Sequence, residues 1–235
     1  MSADIADFIQ IAAIVAIPIV IAITFHEAAH GFVAWRCGDD TAYRLGRVTF
    51  NPLKHIDPFG TILMPLALYI MTSMTGHPFT FGYAKPVPVN FRRLRNPRRD
   101  MVLVAAAGPA INLLLAFASA FLLRLVAGPA DTNPGLVAFV LERSIFLNLV
   151  LAVFNMLPLP PLDGGRVAVG LLPHPLSLFL ARLERYGMQI LIFALILLPW
   201  AGAHLGIDLD VVQWIIEPVV ERLGSFILWV TGNVG

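Results

Sequence analysis

The sequence predicts an all-α polytopic membrane protein with about five to six membrane segments. Its 235 residues are 58% apolar and only 13% charged, a composition typical of membrane proteins rather than soluble domains. Residues 8–25 carry no charge. At about 1.5 Å per residue, a helix of this length crosses a hydrocarbon core of about 30 Å. We therefore interpret the whole chain, 1–235, as one membrane domain.

Further apolar runs follow the first one, at residues 59–75, 101–127, 136–157, 178–199 and 209–230. Polar connections flank the run 59–75, and their alternating or β-branched stretches predict short membrane-associated strands at 43–50 and 79–89. The prolines of the second stretch favour the edge of a sheet. The chain thus divides into a core of about 8–172 and additional C-terminal membrane helices at about 176–230.

The N-terminus and the cysteine content exclude other features. Asp4 and Asp7 stand where a secretory signal has basic residues, so no cleavable signal peptide is predicted. The single cysteine, Cys37, excludes an intramolecular disulfide and a cysteine metal cluster.

The motif H-E-x-x-H occurs as HEAAH at residues 26–30, in the last turns of the predicted first helix. Residues four apart lie on one face of a helix, so the imidazoles of His26 and His30 can reach one metal ion. Glu27 can then accept a proton from a water that zinc acidifies. A glutamate in a spanning segment costs roughly 2.5 to 3.5 kcal/mol, so its presence requires a compensating partner or a function. The competing interpretation is a pair of hydrogen-bonded core histidines.

A catalytic zinc site needs a third protein ligand and one open position. The conspicuous candidate is Asp163, in the stretch NMLPLPPLDGGRV at residues 155–167. Its three prolines stop a helix, and Gly164 and Gly165 let backbone pack closely. Such a break is tolerated at membrane depth only where protein or a water-filled cavity surrounds it. Taken alone, the LDGG turn fits a solvated loop aspartate equally well.

Together, HEAAH and LDGG make the chain resemble the site-2 protease family of intramembrane zinc metalloproteases. The resemblance is closest to the short branch without a PDZ domain, and it covers most of residues 20–170. It extends to three more stretches: FNPLKHIDPFGTILMP (50–65), GYAKPVPVN (82–90) and AAGPAINLLLA (106–116).

The resemblance implies an active site with one Zn²⁺ ion and Glu27 as the general base. The implied zinc ligands are His26, His30 and Asp163. It also implies that Asn112 and Asn155 help to bind substrate or to polarise its carbonyl group. Alternatively, Asn112 only forms a hydrogen bond across helices, worth about 0.6 kcal/mol on average. For His55, a metal neighbour is conceivable, but local capping or hydrogen bonding is the favoured interpretation.

We expect an intramembrane protease that hydrolyses a peptide bond within or near a transmembrane helix of its substrate. The substrate must unwind locally, and extended pairing with the strands predicted at 43–50 and 79–89 would assist. Two rivals remain: a membrane zinc transporter, and a catalytically silent interaction protein with the same fold. Arginines at 92–99 suggest anionic lipid rather than nucleic acid, because they adjoin a spanning helix.

Zinc binding also constrains topology. The two histidines lie near the end of the first helix, and Asp163 follows the run 136–157. To share one ion they must lie at the same face of the membrane, so the chain must cross the membrane an even number of times between them. Runs 101–127 and 136–157 supply two crossings, and run 59–75, interrupted by Pro65, is therefore predicted to be re-entrant. Basic residues concentrate in 36–58, 76–100 and 158–185 and are absent from 1–8, 128–135 and 200–210. This distribution predicts five crossings of the cell (inner) membrane, with the active site nearer the cytoplasm.

Overall fold

The computed structural model describes residues 2–64, 66, 67, 70, 82, 84–126 and 135–233. The α-helices are α1 (Ser2–Arg36), α2 (Thr41–Arg44), α3 (Pro97–Val126), α4 (Leu136–Asn155), α5 (Asp163–Leu171), α6 (His174–Leu183), α7 (Gly187–Ile192), α8 (Leu198–Leu205) and α9 (Glu217–Val230). Short 3-10 or π-helical turns occur at Pro52–Lys54, Pro58–Leu63, Phe91–Arg93, Glu184–Tyr186, Phe193–Leu197 and Val212–Ile216. The described part of the chain contains no strand.

Within the described residues, four helical stretches are long and apolar enough to cross a membrane: Ala16–Arg36, Pro97–Val126, Leu136–Asn155 and His174–Leu205. The last of these joins α6, α7 and α8 through their connecting turns. The predicted fifth crossing at 209–230 is not supported. The π-helical turn Val212–Ile216 continues directly into α9, so this stretch is long enough to cross, but it carries Glu217, Glu221 and Arg222, and charges are costly in a spanning segment.

The core is built where α1, α3 and α4 pack together. Fully buried alanines on α3, Ala116 and Ala120, face Leu149 of α4 and Ile227 of α9 in one apolar cluster. Small side chains let helix backbones approach closely, which membrane helices need because lipid is as apolar as their own side chains. The C-terminal α9 thus closes one side of the α3–α4 pair.

The predicted strand at 43–50 is wrong. The carboxylate of Asp39 accepts a hydrogen bond from the Thr41 backbone N–H and so starts the short helix α2. Gly46 then turns the chain in a left-handed conformation, with φ of 63°, which favours glycine. Of the strand predicted at 79–89, residues 79–81 and 83 lie outside the described residues, and 84–89 are neither helix nor strand.

We call residues 84–90 the proline segment. Hydrogen bonds to residues that follow α1 hold it beside the C-terminal end of that helix. Lys85 N–H donates to the carbonyl of His55 at 2.9 Å, Arg47 donates to the carbonyl of Lys85 at 2.7 Å, and Asn90 N–H donates to Asp39 at 2.6 Å. The chain therefore leaves the end of α1 and returns to it by residue 85. This return is what the re-entrant prediction for 59–75 requires, although residues 65, 68, 69 and 71–75 lie outside the described residues.

A tight loop carries the chain from α4 to α5. A Cβ atom added to Gly164 would lie 2.2 Å from the carbonyl oxygen of Met156, and one added to Gly187 would lie 1.9 Å from that of Pro160. Both distances are far inside van der Waals contact, so only glycine fits. The loop thus packs tightly between the first turn of α5 and the start of α7. This packing fixes the position of Asp163, the first residue of α5.

Candidate metal centre

Three side-chain atoms from two distant parts of the chain meet at one point. Nε2 of His26 lies 3.0 Å from Nε2 of His30. Oδ2 of Asp163 lies 3.2 Å from each of these nitrogens. The histidines are one turn apart on α1, as their spacing predicts, and α5 brings the aspartate to them. In the described residues this is the only group of His, Cys, Asp or Glu side chains that could share one metal ion.

The outer nitrogen of each imidazole has a hydrogen-bond acceptor. Nδ1 of His26 lies 2.6 Å from Oδ1 of Asn112, and Nδ1 of His30 lies 2.7 Å from the carbonyl oxygen of Val104. Each Nδ1 therefore carries a proton and donates, which leaves a lone pair on Nε2 of the neutral ring. This is the second-sphere arrangement typical of metal-binding histidines.

Asp163 completes the set as a carboxylate. Burial raises the pKa of its carboxyl group, but contacts with His26 and His30 in their protonated form outweigh burial and hold that pKa below its ordinary range. Its Oδ2 is nonetheless buried without a hydrogen-bond partner. A buried anion beside two lone pairs requires a cation between them, either a proton or a metal ion.

The donor set fits zinc. Two imidazole nitrogens and one carboxylate oxygen are a ligand combination that zinc accepts in catalytic sites. Ligand atoms of a tetrahedral ion with bonds of about 2.0 to 2.1 Å are roughly 3.3 Å apart. The observed separations of 3.0 and 3.2 Å lie close to this value. The three residues could therefore hold one zinc ion with only small movements.

Glu27 lies beside this centre on the wall of a cavity of about 720 Å³. Its Oε2 accepts a hydrogen bond from the backbone N–H of Val87 at 2.7 Å, so the proline segment orients the carboxylate. The cavity is bounded by the ligands, the proline segment, α4 and the C-terminal helices. Its lining includes His30, Val89, Phe146, Asp163, Leu191 and Ile216.

The remaining predicted site residues occupy three different places. Asn112 is fully buried behind His26. Asn155 lines the cavity, and its Nδ2 donates to the carbonyl of Leu151 at 3.0 Å. His55 is outside the metal centre: its Nε2 bonds the nearby carbonyl of Thr49 at 2.9 Å, which agrees with local hydrogen bonding. Substrate binding by Asn112 and Asn155 stays a prediction.

Sequence reasoning missed two residues that shape the centre. A Cβ atom at Gly108 would lie 2.5 Å from both His26 Cε1 and His30 Nε2, so α3 can reach the ligands only through a glycine. Asn148 is 1% exposed and bonds Asn112 at 2.9 Å. An isolated asparagine in the apolar stretch SIFLNLVLA was the available signal, since polar groups in a membrane helix require partners.

The sequence of the chain is similar to those of known proteins. The model of peptidase family M50 matches residues 14–141 and 130–198. "Putative zinc metalloprotease YwhC" of Bacillus subtilis is 39% identical over 93% of this chain and 85% of its own length. "Putative zinc metalloprotease Rip2" of Mycolicibacterium smegmatis is 33% identical over 73% of this chain and 62% of its own length. "Putative zinc metalloprotease MJ0611" of Methanocaldococcus jannaschii is 32% identical over 61% and 62%, respectively. No solved structure matches the chain significantly.

Proposed function

The chain belongs to peptidase family M50, the family of site-2 proteases, and on that basis we propose that it is an intramembrane zinc metalloprotease. Its substrates are membrane proteins, cleaved within or near a transmembrane helix in regulated intramembrane proteolysis. The observation that carries the proposal is the convergence of His26, His30 and Asp163 beside Glu27. The partnerless Oδ2 of Asp163 supports a cation at their centre.

We assign the proton transfers to Glu27. A bound zinc ion supplies Lewis acidity for activating water and the substrate carbonyl. Glu27 takes the proton from the attacking water and passes it to the leaving amide nitrogen. The Val87 N–H donates to Oε2 and fixes the plane of the carboxylate. We therefore assign the proton taken from water to Oε1.

The proline segment is the part of the enzyme best placed to meet an unwound substrate, because it forms one wall of the cavity. Its N–H groups at Lys85 and Val87 already donate to His55 and Glu27. Pro86 and Pro88 have no N–H. Between Lys85 and Pro88, a paired substrate must therefore donate its own N–H groups to the segment's carbonyls, and Val89 is the next residue whose N–H could donate to it.

A transporter is the less favoured function. Transport needs donors spread along a path, whereas the atoms of His26, His30 and Asp163 lie within 4.8 Å of one another. Transport also gives no reason for Glu27 to follow a ligand directly. We further propose that the centre lies nearer the cytoplasmic face of the cell membrane, since the basic segments 36–58 and 76–100 adjoin this end of α1.

Glu27→Gln tests the proposal. The ligands remain, so zinc should stay bound, while loss of the proton acceptor should remove most of the rate. Membrane-protein fragments are compared by mass spectrometry between cells with the intact chain and cells with Glu27→Gln. We expect fragments that depend on Glu27, with termini inside or beside transmembrane helices. If both cell lines yield the same fragments, Glu27 is not the base and the proposed activity is wrong.

A further inference from the structure

The buried hydrogen-bond chain behind His26 has a fixed direction. Nδ2 of Asn148 donates to the backbone carbonyl of Ser144 at 2.8 Å. A carbonyl oxygen only accepts, so Asn148 must turn its Nδ2 to Ser144 and its Oδ1 to Asn112. Asn112 meets that oxygen with its own Nδ2, at 2.9 Å. The direction of both amides thus follows from one backbone carbonyl.

This direction determines which atom of Asn112 faces the metal ligand. With Nδ2 turned to Asn148, Oδ1 faces Nδ1 of His26 at 2.6 Å. A second carbonyl, that of Ala22, favours the same orientation but lies 3.3 Å from Nδ2. Because Oδ1 carries no hydrogen, Nδ1 of His26 must hold the ring proton, which leaves the lone pair on Nε2. A histidine needs that lone pair to bind zinc.

We propose that Asn148 is a positioning residue for the metal centre: acting through Asn112, it selects the tautomer of His26 that binds zinc. The inference rests on the proposed zinc site and assigns a role to a residue that touches no ligand. Without Asn148, Asn112 is held only by the longer bond to Ala22 and can turn over. Nδ2 would then face His26 and move the ring proton to Nε2, where it competes with zinc.

Both asparagines are shielded from water. Asn112 is 0% exposed and Asn148 is 1% exposed, so water cannot replace a lost partner. A buried amide that loses its acceptor pays the desolvation cost of the unpaired N–H, so the orientation with Oδ1 toward His26 loses most of its advantage and keeps only the longer Ala22 bond. The new partner would be Nδ1 of His26. This nitrogen is unprotonated in the tautomer that carries the ring proton on Nε2 and cannot bind zinc there.

The test measures the zinc affinity of detergent-purified protein by competition with a chelator of known affinity. We expect Asn148→Leu to weaken zinc binding about tenfold, the lower end of the range for outer-sphere partners of metal ligands. Asn148→Asp should stay within about twofold of wild type, because a carboxyl group buried here becomes neutral. It then accepts from Asn112 and donates to the Ser144 carbonyl, as asparagine does.

Ser119→Ala is the matched control. It removes a hydroxyl that contacts the Ser144 hydroxyl at 2.8 Å but leaves both amides paired, so zinc affinity should not change. If wild type and Asn148→Leu bind zinc with equal affinity, the role of Asn148 is wrong but the proposed function stands. If the wild type binds no zinc, both the role of Asn148 and the proposed function are wrong. If Asn148→Leu does not fold, Asn148→Asp decides: a folded Asn148→Asp with tenfold weaker zinc binding contradicts the selection of a tautomer.

Discussion

Gly108 shows how closely single residues constrain the metal centre. It lies on α3 opposite both histidine ligands, and a Cβ atom there would lie 2.5 Å from His26 Cε1 and His30 Nε2. Since the imidazoles are held from behind by Asn112 and Val104, they cannot move away without losing those bonds. Gly108→Ala should therefore displace a ligand and lower both zinc content and activity by about tenfold or more.

Gly224→Ala is the control for that substitution. Gly224 lies in α9, and its added Cβ would meet only Leu149 Cδ1, at 3.5 Å, an ordinary contact. Alanine in place of a glycine inside a helix stabilises by about 0.5 to 1 kcal/mol, so folding, zinc content and activity should persist. Zinc is measured by elemental analysis of purified protein. Full zinc occupancy in Gly108→Ala would show that the ligands are less constrained than the packing indicates.

At the scale of elements, the proline segment depends on a buried carboxylate. Asp39 is 0% exposed and accepts from the Asn90 N–H and from Thr41. Asp39→Ala leaves these donors unpaired, at a cost of about 1 to 3 kcal/mol for each buried group. The segment should loosen, and the Val87 bond that orients Glu27 should loosen with it. We expect kcat/KM to fall about tenfold or more while zinc remains bound.

Asp40→Ala provides the comparison one residue away. Asp40 pairs with Arg44 and Arg93, whose side chains are 70% and 45% exposed. Exposed ion pairs contribute about 0 to 1 kcal/mol, so activity should change little. The assay uses a peptide that spans a helix cleaved in a Glu27-dependent manner. Zinc loss in Asp39→Ala would mean that Asp39 supports the ligands on α1 rather than the proline segment.

At the scale of the whole molecule, the metal centre requires the end of α1 and the start of α5 to share one membrane face. Helices α3 and α4 provide two crossings between them, so residues 59–75 cannot add a third. Positions before and after this run should therefore be equally inaccessible from outside the cell. The test places single cysteines at Leu53, Arg92 and Asp131 after Cys37→Ser.

Intact cells are treated with a membrane-impermeant thiol reagent, and permeabilised cells serve as the labelling control. Leu53 and Arg92 are exposed and should react only after permeabilisation. Position 131 lies in the connection between α3 and α4 and should react in intact cells. Labelling of intact cells at 92 but not at 53 would mean that 59–75 spans the membrane and that the ends of α1 and α5 do not share one face.

Features set by local physics were predictable from the sequence. Long uncharged runs predict helices because backbone groups in lipid must pair within the segment, and α3 and α4 match their runs within a few residues. The spacing of His26 and His30 predicts one face of a helix, because helical periodicity needs no knowledge of the rest of the chain. Glu27 beside the first histidine then indicates the chemistry.

Tertiary structure alone decided the contacts between distant segments. The strand predicted at 43–50 is replaced by α2 and a turn, because Asp39 accepts from the Thr41 N–H at the start of α2 and also from the Asn90 N–H. Asp163 reaches the histidines because glycines let its loop pack against α7, and Asn148 acquires a role only when α4 lies against α3. Local patterns cannot specify such hydrogen bonds, since a buried polar group must find a partner but its own sequence does not say which one.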